Sequence, residues 1–220
     1  MPVLRAKKRW PVNMSYLVLI RHGQSEWNKL SLWTGLTDVP LSDRGHEEAR
    51  AAAKTLSHIK FDKAHTSSLK RAQDTLTDIL SELGQAELHA SKDPALNERD
   101  YGDLTGKNKW QVKEEHGEEK FMQWRRSWDY PVPGGETLKD VHNRTVPYFE
   151  RHILDDLKAG ENVIVSAHGN TLRALVKYLE HIPNEKIPTL EIATGEVYIY
   201  DIEPGSGRVV SKEIKVAPTV

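Results

Sequence analysis

The sequence contains no cysteine. That excludes a disulfide framework, a thiolate nucleophile and a thiolate metal site, and it suits a reducing, cytoplasmic setting. Net charge is nearly absent too: 31 lysines and arginines stand against 32 aspartates and glutamates, a formal balance of -1. No global field draws in nucleic acid or anionic lipid, so neither a nucleic-acid nor a membrane partner is expected, and any anion site must be a local cluster of positive groups. No apolar run approaches the roughly 18 residues of a membrane span. No signal-peptide core is expected at the N-terminus. There is no Walker-type glycine loop and no tight group of aspartates and glutamates, so no metal is expected.

What the chain has is enough apolar residue, 38% over 220 positions, for one domain or a domain with a lobe over its active face. Residues 1–13 carry Arg5, Lys7, Lys8 and Arg9 with no acid beside them. They are expected to be a disordered N-terminal extension, with the folded domain spanning 14–220. From there the pattern alternates. Tyr16–Ile20 is a continuous apolar run, as a buried strand is. Ser42 is an N-cap candidate, and Ala49, Ala52, Ala53 and Leu56 form a helical stripe after it. A strand over Phe61–Thr66, a helix through Leu69–Leu83 stopped by Gly84, and a strand over Ala86–Ser91 follow. Thr137 and Asp140 signal the start of a helix reaching Leu157. Asn162–Ala167 is a second buried strand and leads into a helix through Leu179. Val197–Tyr200 and Val209–Ile214 close the pattern as strands joined by a turn at 204–207. The alternation predicts an α/β fold in three layers, a mostly parallel sheet with helices on both faces. Only the stretch 97–135 departs from it, and reads as a lobe of one or two exposed helices.

In such a sheet ligands sit at the carboxyl ends of strands. Arg21-His22-Gly23 stands at one such end and His168-Gly169-Asn170 at another. Arg21 offers a fork of donors. Gly23 is expected to let backbone approach a ligand closely, and Ser25 and Asn28 add small polar groups. A helix opening at Gly169 would present amides to an anion. Together these suit capture of a tetrahedral oxyanion. A neutral imidazole makes His22 a fitting nucleophile, provided a backbone carbonyl holds the proton on its other nitrogen. Basic residues in the 97–135 stretch would by themselves be a solvated face, and Trp110, Trp124 and Trp128 are expected to pack rather than stack on bases.

LVLIRHGQSEWN, Ser68-Leu69-Lys70-Arg71-Ala72, Leu96-Asn97-Glu98-Arg99-Asp100-Tyr101-Gly102, Gln123-Trp124-Arg125-Arg126 and AHGNTLRALVKYLE, taken in order, resemble the cofactor-dependent phosphoglycerate mutases of the histidine phosphatase superfamily. The resemblance runs from about Tyr16 to about Ile214. It implies that His22 becomes phosphorylated, that Arg21, Arg71 and His168 surround the phosphoryl, and that Glu98 is general acid and base. Phosphoryl transfer needs mainly positioning and positive charge, which Arg21, Arg71 and a protonated His168 are expected to supply. It implies that Ser25, Asn28, Gly169 and Asn170 contact phosphate. It further implies that Thr34, Gly35, Arg99, Tyr101, Lys109, Arg125 and Arg126 hold the glycerate carboxylate and second phosphate. The implied reaction interconverts 3-phosphoglycerate and 2-phosphoglycerate, with 2,3-bisphosphoglycerate as primer and intermediate and no metal. A carboxylate among arginines is a poor acid until a bound dianion offsets them, so Glu98 is expected to donate a proton only with substrate in place. Only Ser127–Glu136 separates the arginine pair from the next helix, as in a short-form branch, which leaves a homo-oligomer as one alternative. Two rivals stay open: a phosphatase in which water takes the phosphoryl, and a catalytically inert phosphoanion binder.

Overall fold

The computed structural model describes residues 14–216, and the expected extension 1–13 lies outside them. Six strands form one sheet: β1 (Ser15–Arg21), β2 (Lys63–Thr66), β3 (Ala90–Lys92), β4 (Val163–Ala167), β5 (Glu196–Glu203) and β6 (Arg208–Val216), in the order β3-β2-β4-β1-β5-β6. The first four run parallel, while β5 and β6 pair antiparallel on the far side of β1. The sheet is therefore mixed, with a parallel portion that holds both histidine loops. β4 and β1 are the central pair of the sheet, and Leu17 to Ile20 and Val163 to Val165 have no solvent exposure. A strand covered on both faces carries just such an unbroken apolar run.

Successive residues of β1 serve opposite layers. Val18 and Ile20 pack with Ala49, Ala52 and Ala53 of α2 (Asp43–Lys54) and Leu76, Ile79 and Leu80 of α3 (Lys70–Glu82). Leu17 and Leu19 pack with Phe149 of α6 (Leu138–His152) and Leu172, Leu175 and Val176 of α8 (Gly169–Leu179). The remaining helices are α1 (Glu26–Lys29), α4 (Lys109–His116), α5 (Glu118–Arg126) and α7 (Leu154–Lys158). Helices α4 and α5 lie in the stretch expected as a lobe and share a small core of Trp33, Leu104, Val112, Phe121, Trp124 and Val132. Trp124 packs there as expected. Trp110 does not: it is 58% exposed.

Two boundaries and one glycine contact differ from the sequence pattern. The strand expected at 86–91 begins only at Ala90, because the Gln85 side chain bonds Phe61 N and Ile59 O and holds the preceding residues in a turn. The helix expected to run unbroken to Leu157 divides at Ile153, whose backbone leaves the helical region at φ -124°. The tilted segment α7 brings the Leu157 carbonyl to Ser15 Oγ at 2.8 Å. At Gly23 the close approach is to backbone of another element. A Cβ there would lie 2.2 Å from the carbonyl oxygen of Gly45, and a Cβ on Gly45 would lie 2.1 Å from that of Gln24. The two glycines let the start of α2 rest backbone to backbone against the loop after β1. Ser42 joins the same contact, capping Gly45 N and donating to Gln24 O.

Gly45→Ala should consequently destabilise the protein by about 1–3 kcal/mol, the ordinary cost of forcing extra atoms into a packed contact. Urea unfolding measures it, and an unchanged midpoint would show that the loop is not seated by this contact.

Candidate active site

His22 follows β1 and is 3% exposed. Its Nδ1 donates to the carbonyl of Gly23 at 2.7 Å, the backbone bond that a nucleophilic imidazole was expected to need. With that proton fixed, Nε2 carries the free lone pair. Burial, Arg71 and Arg21 together lower the pKa well below the usual value of a histidine, so the ring is neutral. His168 follows β4, and its ring centroid lies 5.0 Å from that of His22. It too is driven well below its usual pKa, by burial first and then by Arg71, His22 and Arg21. In the ligand-free protein burial and the converging cations thus favour the neutral ring over the protonated His168 expected from sequence. Its Nε2 meets Ser67 Oγ at 2.7 Å.

Two neighbouring cavities open here and share Arg21, Glu98, Tyr101 and Lys109. The inner one is completed by His22, Asn28, Thr34, Gly35 and Arg71. The outer one adds Arg125, Arg126, Gly169 and Asn170, together with Trp33, Arg173, Glu191 and Ile192, which sequence reasoning missed. Three expected residues lie off both walls. Arg99 is wholly buried, its Nη2 donating to the Trp124 carbonyl and its guanidinium stacked 4.6 Å from the Tyr101 ring centroid. It supports the floor instead of reaching ligand. Ser25 is spent on a capping box with Asn28 that shapes α1. His168 is fully buried beside His22, its Nδ1 without a partner in the protein.

The walls are held by backbone carbonyls. Arg71 donates to Gly35 O and Thr37 O, and Arg21 to Ile192 O. Arg173 donates to Arg126 O, Ile187 O and, at 3.4 Å, Arg125 O, which fastens the end of α5 to α8. A lone arginine among Leu172, Ala174, Leu175 and Val176 was the available signal for it. Glu98 Oε1 accepts from Asn170 N, Asn170 Nδ2 and Arg99 N. The anion that the start of α8 attracts is thus the protein's own carboxylate. Buried polar atoms without a partner gather in and under the walls: Arg21 Nε, Trp33 Nε1, Thr34 Oγ1, Arg99 Nε, His168 Nδ1 and Arg173 Nε. Nearly all are donors, each costing about 1–3 kcal/mol when left unpaired. The arrangement suits a ligand rich in anionic oxygens.

Residues 17–215 match the histidine phosphatase superfamily (branch 1). The chain belongs to this superfamily. Among its curated relatives, the 2,3-bisphosphoglycerate-dependent phosphoglycerate mutases of Parvibaculum lavamentivorans and Rhizobium rhizogenes are 48% and 50% identical. They align over 91% and 90% of this chain and 96% and 94% of their own. Solved structures resemble it at lower identity. A mycobacterial glucosyl-3-phosphoglycerate phosphatase is 25% identical with a TM-score of 0.79, covering 92% of this chain and 98% of that one. An alpha-ribazole phosphatase from Shigella flexneri is 26% identical with a TM-score of 0.73, covering 92% and 95%.

In this member of the superfamily the crowding of cations reaches Lys109. Burial, then Arg125 and Arg21, lower its pKa to about 8 against the pull of Glu98. The free protein therefore holds Lys109 charged below pH 8 and loses that charge above it. The KM for 3-phosphoglycerate should rise as the pH passes about 8, and Lys109→Arg, which keeps its charge, should abolish that rise. A wild-type KM that stays level to pH 9.5 would contradict a role for this ammonium in holding the ligand.

Proposed function

We propose that the protein interconverts 3-phosphoglycerate and 2-phosphoglycerate by carrying a phosphoryl group on His22, with 2,3-bisphosphoglycerate as primer and intermediate. The observation that carries this reading is the pair of joined cavities. The inner one has a nucleophilic histidine with Arg21 and Arg71, and the outer one has Arg125, Arg126 and Arg173 around a second anion seat. A bisphosphorylated three-carbon acid requires both. The names of relatives about half identical to the chain support the same activity and its dependence on the bisphosphate.

In this mechanism His22 Nε2 attacks the phosphorus in line with the departing glycerate oxygen, and the bond to that oxygen breaks as the phosphorus–nitrogen bond forms. Arg21 and Arg71 offset charge on the equatorial oxygens. Glu98, on the shared wall, delivers a proton to the leaving alkoxide and recovers one from the hydroxyl that later attacks phospho-His22. Asn28, Thr34 and Gly35 line the phosphoryl side, Gly169 and Asn170 the opposite wall. Lys109, Arg125 and Arg126 hold the carboxylate and second phosphate, so that the glycerate stays while it turns and water is kept from the phosphohistidine. Arg99 and Ser25 serve from behind, through Tyr101 and Asn28. We assign the activity to the cytoplasm; no helix among the described residues is long and apolar enough to cross a membrane.

The second reading is a phosphatase, favoured by the identity of the solved neighbours. A coupled assay of 3-phosphoglycerate consumption, with phosphate release followed in parallel, separates the two. The mutase reading requires conversion that 2,3-bisphosphoglycerate stimulates and that outruns phosphate release. The Arg125→Ala/Arg126→Ala double variant should lose conversion far more than hydrolysis of the bisphosphate. Phosphate release matching consumption in the wild type would transfer the protein to the phosphatases.

A further inference from the structure

We propose that Ser67 is a positioning residue for this chemistry: its hydroxyl donates to Nε2 of His168 and so keeps the ring's one proton on Nδ1, as a donor to the transferring phosphoryl. The inference rests on the reading of His22 as phosphoryl carrier. It begins with sheet register. β2 and β4 pair in parallel with Thr66 opposite Ser166, so the residues leaving the two strands are brought side by side. Thr66 Oγ1 ties the strands by donating to Ser166 O at 3.0 Å. Beyond it, Ser67 Oγ reaches His168 Nε2 at 2.7 Å, both residues having no solvent exposure.

A serine hydroxyl has one proton to give and lone pairs to receive with. Ser67 Oγ already accepts from Leu69 N at 3.1 Å. No other side-chain partner of that hydroxyl is found among the described residues. If His168 carried its proton on Nε2, that proton would go to Ser67. The serine's own proton would then have no acceptor, and His168 Nδ1 would be left as a bare lone pair. Two buried groups would stand unpaired. With the proton on Nδ1, the serine gives to Nε2 and accepts from Leu69, and one group alone is left, the Nδ1–H. Each buried orphan is costly, so the second tautomer is the favoured one. Its remaining orphan is a donor, 5.0 Å ring to ring from His22. A phosphoryl oxygen can accept from it, whereas a lone pair there would repel that oxygen. Because the ring is neutral, its tautomer decides whether it attracts or repels. The segment after β2 thus contributes twice, through Ser67 in the turn to His168 and through Arg71 at the start of α3 to the site directly.

The tautomer is measurable in the intact protein without substrate. Long-range proton–nitrogen correlation spectra with nitrogen-15 histidine, assigned against His168→Gln, should find the His168 proton on Nδ1. In Ser67→Ala that preference should be lost. Single-turnover phosphorylation of His22 by 2,3-bisphosphoglycerate should slow in proportion to the Nδ1–H fraction lost, towards about 10²-fold where the proton moves wholly to Nε2, the cost of one oxyanion donor. Ser67→Thr keeps the hydroxyl and should restore both. A wild-type proton on Nε2 overturns the proposal whether or not the variants fold, and so does a Ser67→Ala protein that retains the Nδ1 tautomer. If His22 is never phosphorylated while the tautomer is as described, the carrier reading fails and the Ser67–His168 pairing stands.

Discussion

The site depends on holding several cations close together inside the protein, and the means is a set of bonds from guanidinium groups to backbone carbonyls. Buried like charges repel, and each is deprived of water. The cost is visible in Arg71 and Arg173, both lowered to about 10 chiefly by burial, and in Lys109 at about 8. Carbonyls offset part of it. Gly35 and Thr37 receive Arg71, Ile192 receives Arg21, and Arg126 and Ile187 receive Arg173. Each bond also runs the other way, since a loop tied to an arginine cannot drift. Arg144 extends the scheme by donating to the carbonyls of Ala95, Asn97 and Glu98 and to Glu136, which fixes the segment bearing Glu98. The charge needed for chemistry is thus also what organises the loops between strands and lobe.

Burial, and then the same concentration of charge, makes both histidines neutral in the free protein, and neutrality divides their work. His22, with its Nδ1 proton committed to Gly23 O, is left with a nucleophilic Nε2. His168, bonded at Nε2 to Ser67, is left with Nδ1. One ring offers a lone pair and the other a proton, within one ring-to-ring contact. Arginines carry the positive charge, which lets the imidazoles take roles that a charged ring could not fill.

Much of this was legible in sequence because it is local. A buried strand followed at once by His-Gly gives its own position, so β1, β4 and their histidines could be read directly. The arginine cradle and the walls around Glu98, Lys109 and the Arg125–Arg126 pair followed from their motifs. What was not legible arises between distant segments. The neutral state of His168 depends on how near Arg71 and Arg21 come. The partner of Gly23 is Gly45, in another element. Arg99 bears the same charge as its neighbours in the motif but is turned under Tyr101, and no spacing rule separates floor from wall. Ser67 is an ordinary serine until register sets it beside His168.

The central claim is that His22 becomes covalently phosphorylated within this cradle. Incubation with radiolabelled 2,3-bisphosphoglycerate, followed by acid and alkali treatment and peptide mapping, tests it most directly. The account predicts one labelled residue, His22, with the acid lability of a phosphoramidate and no label in His22→Ala. Acid-stable label, or label that survives that substitution, would contradict it.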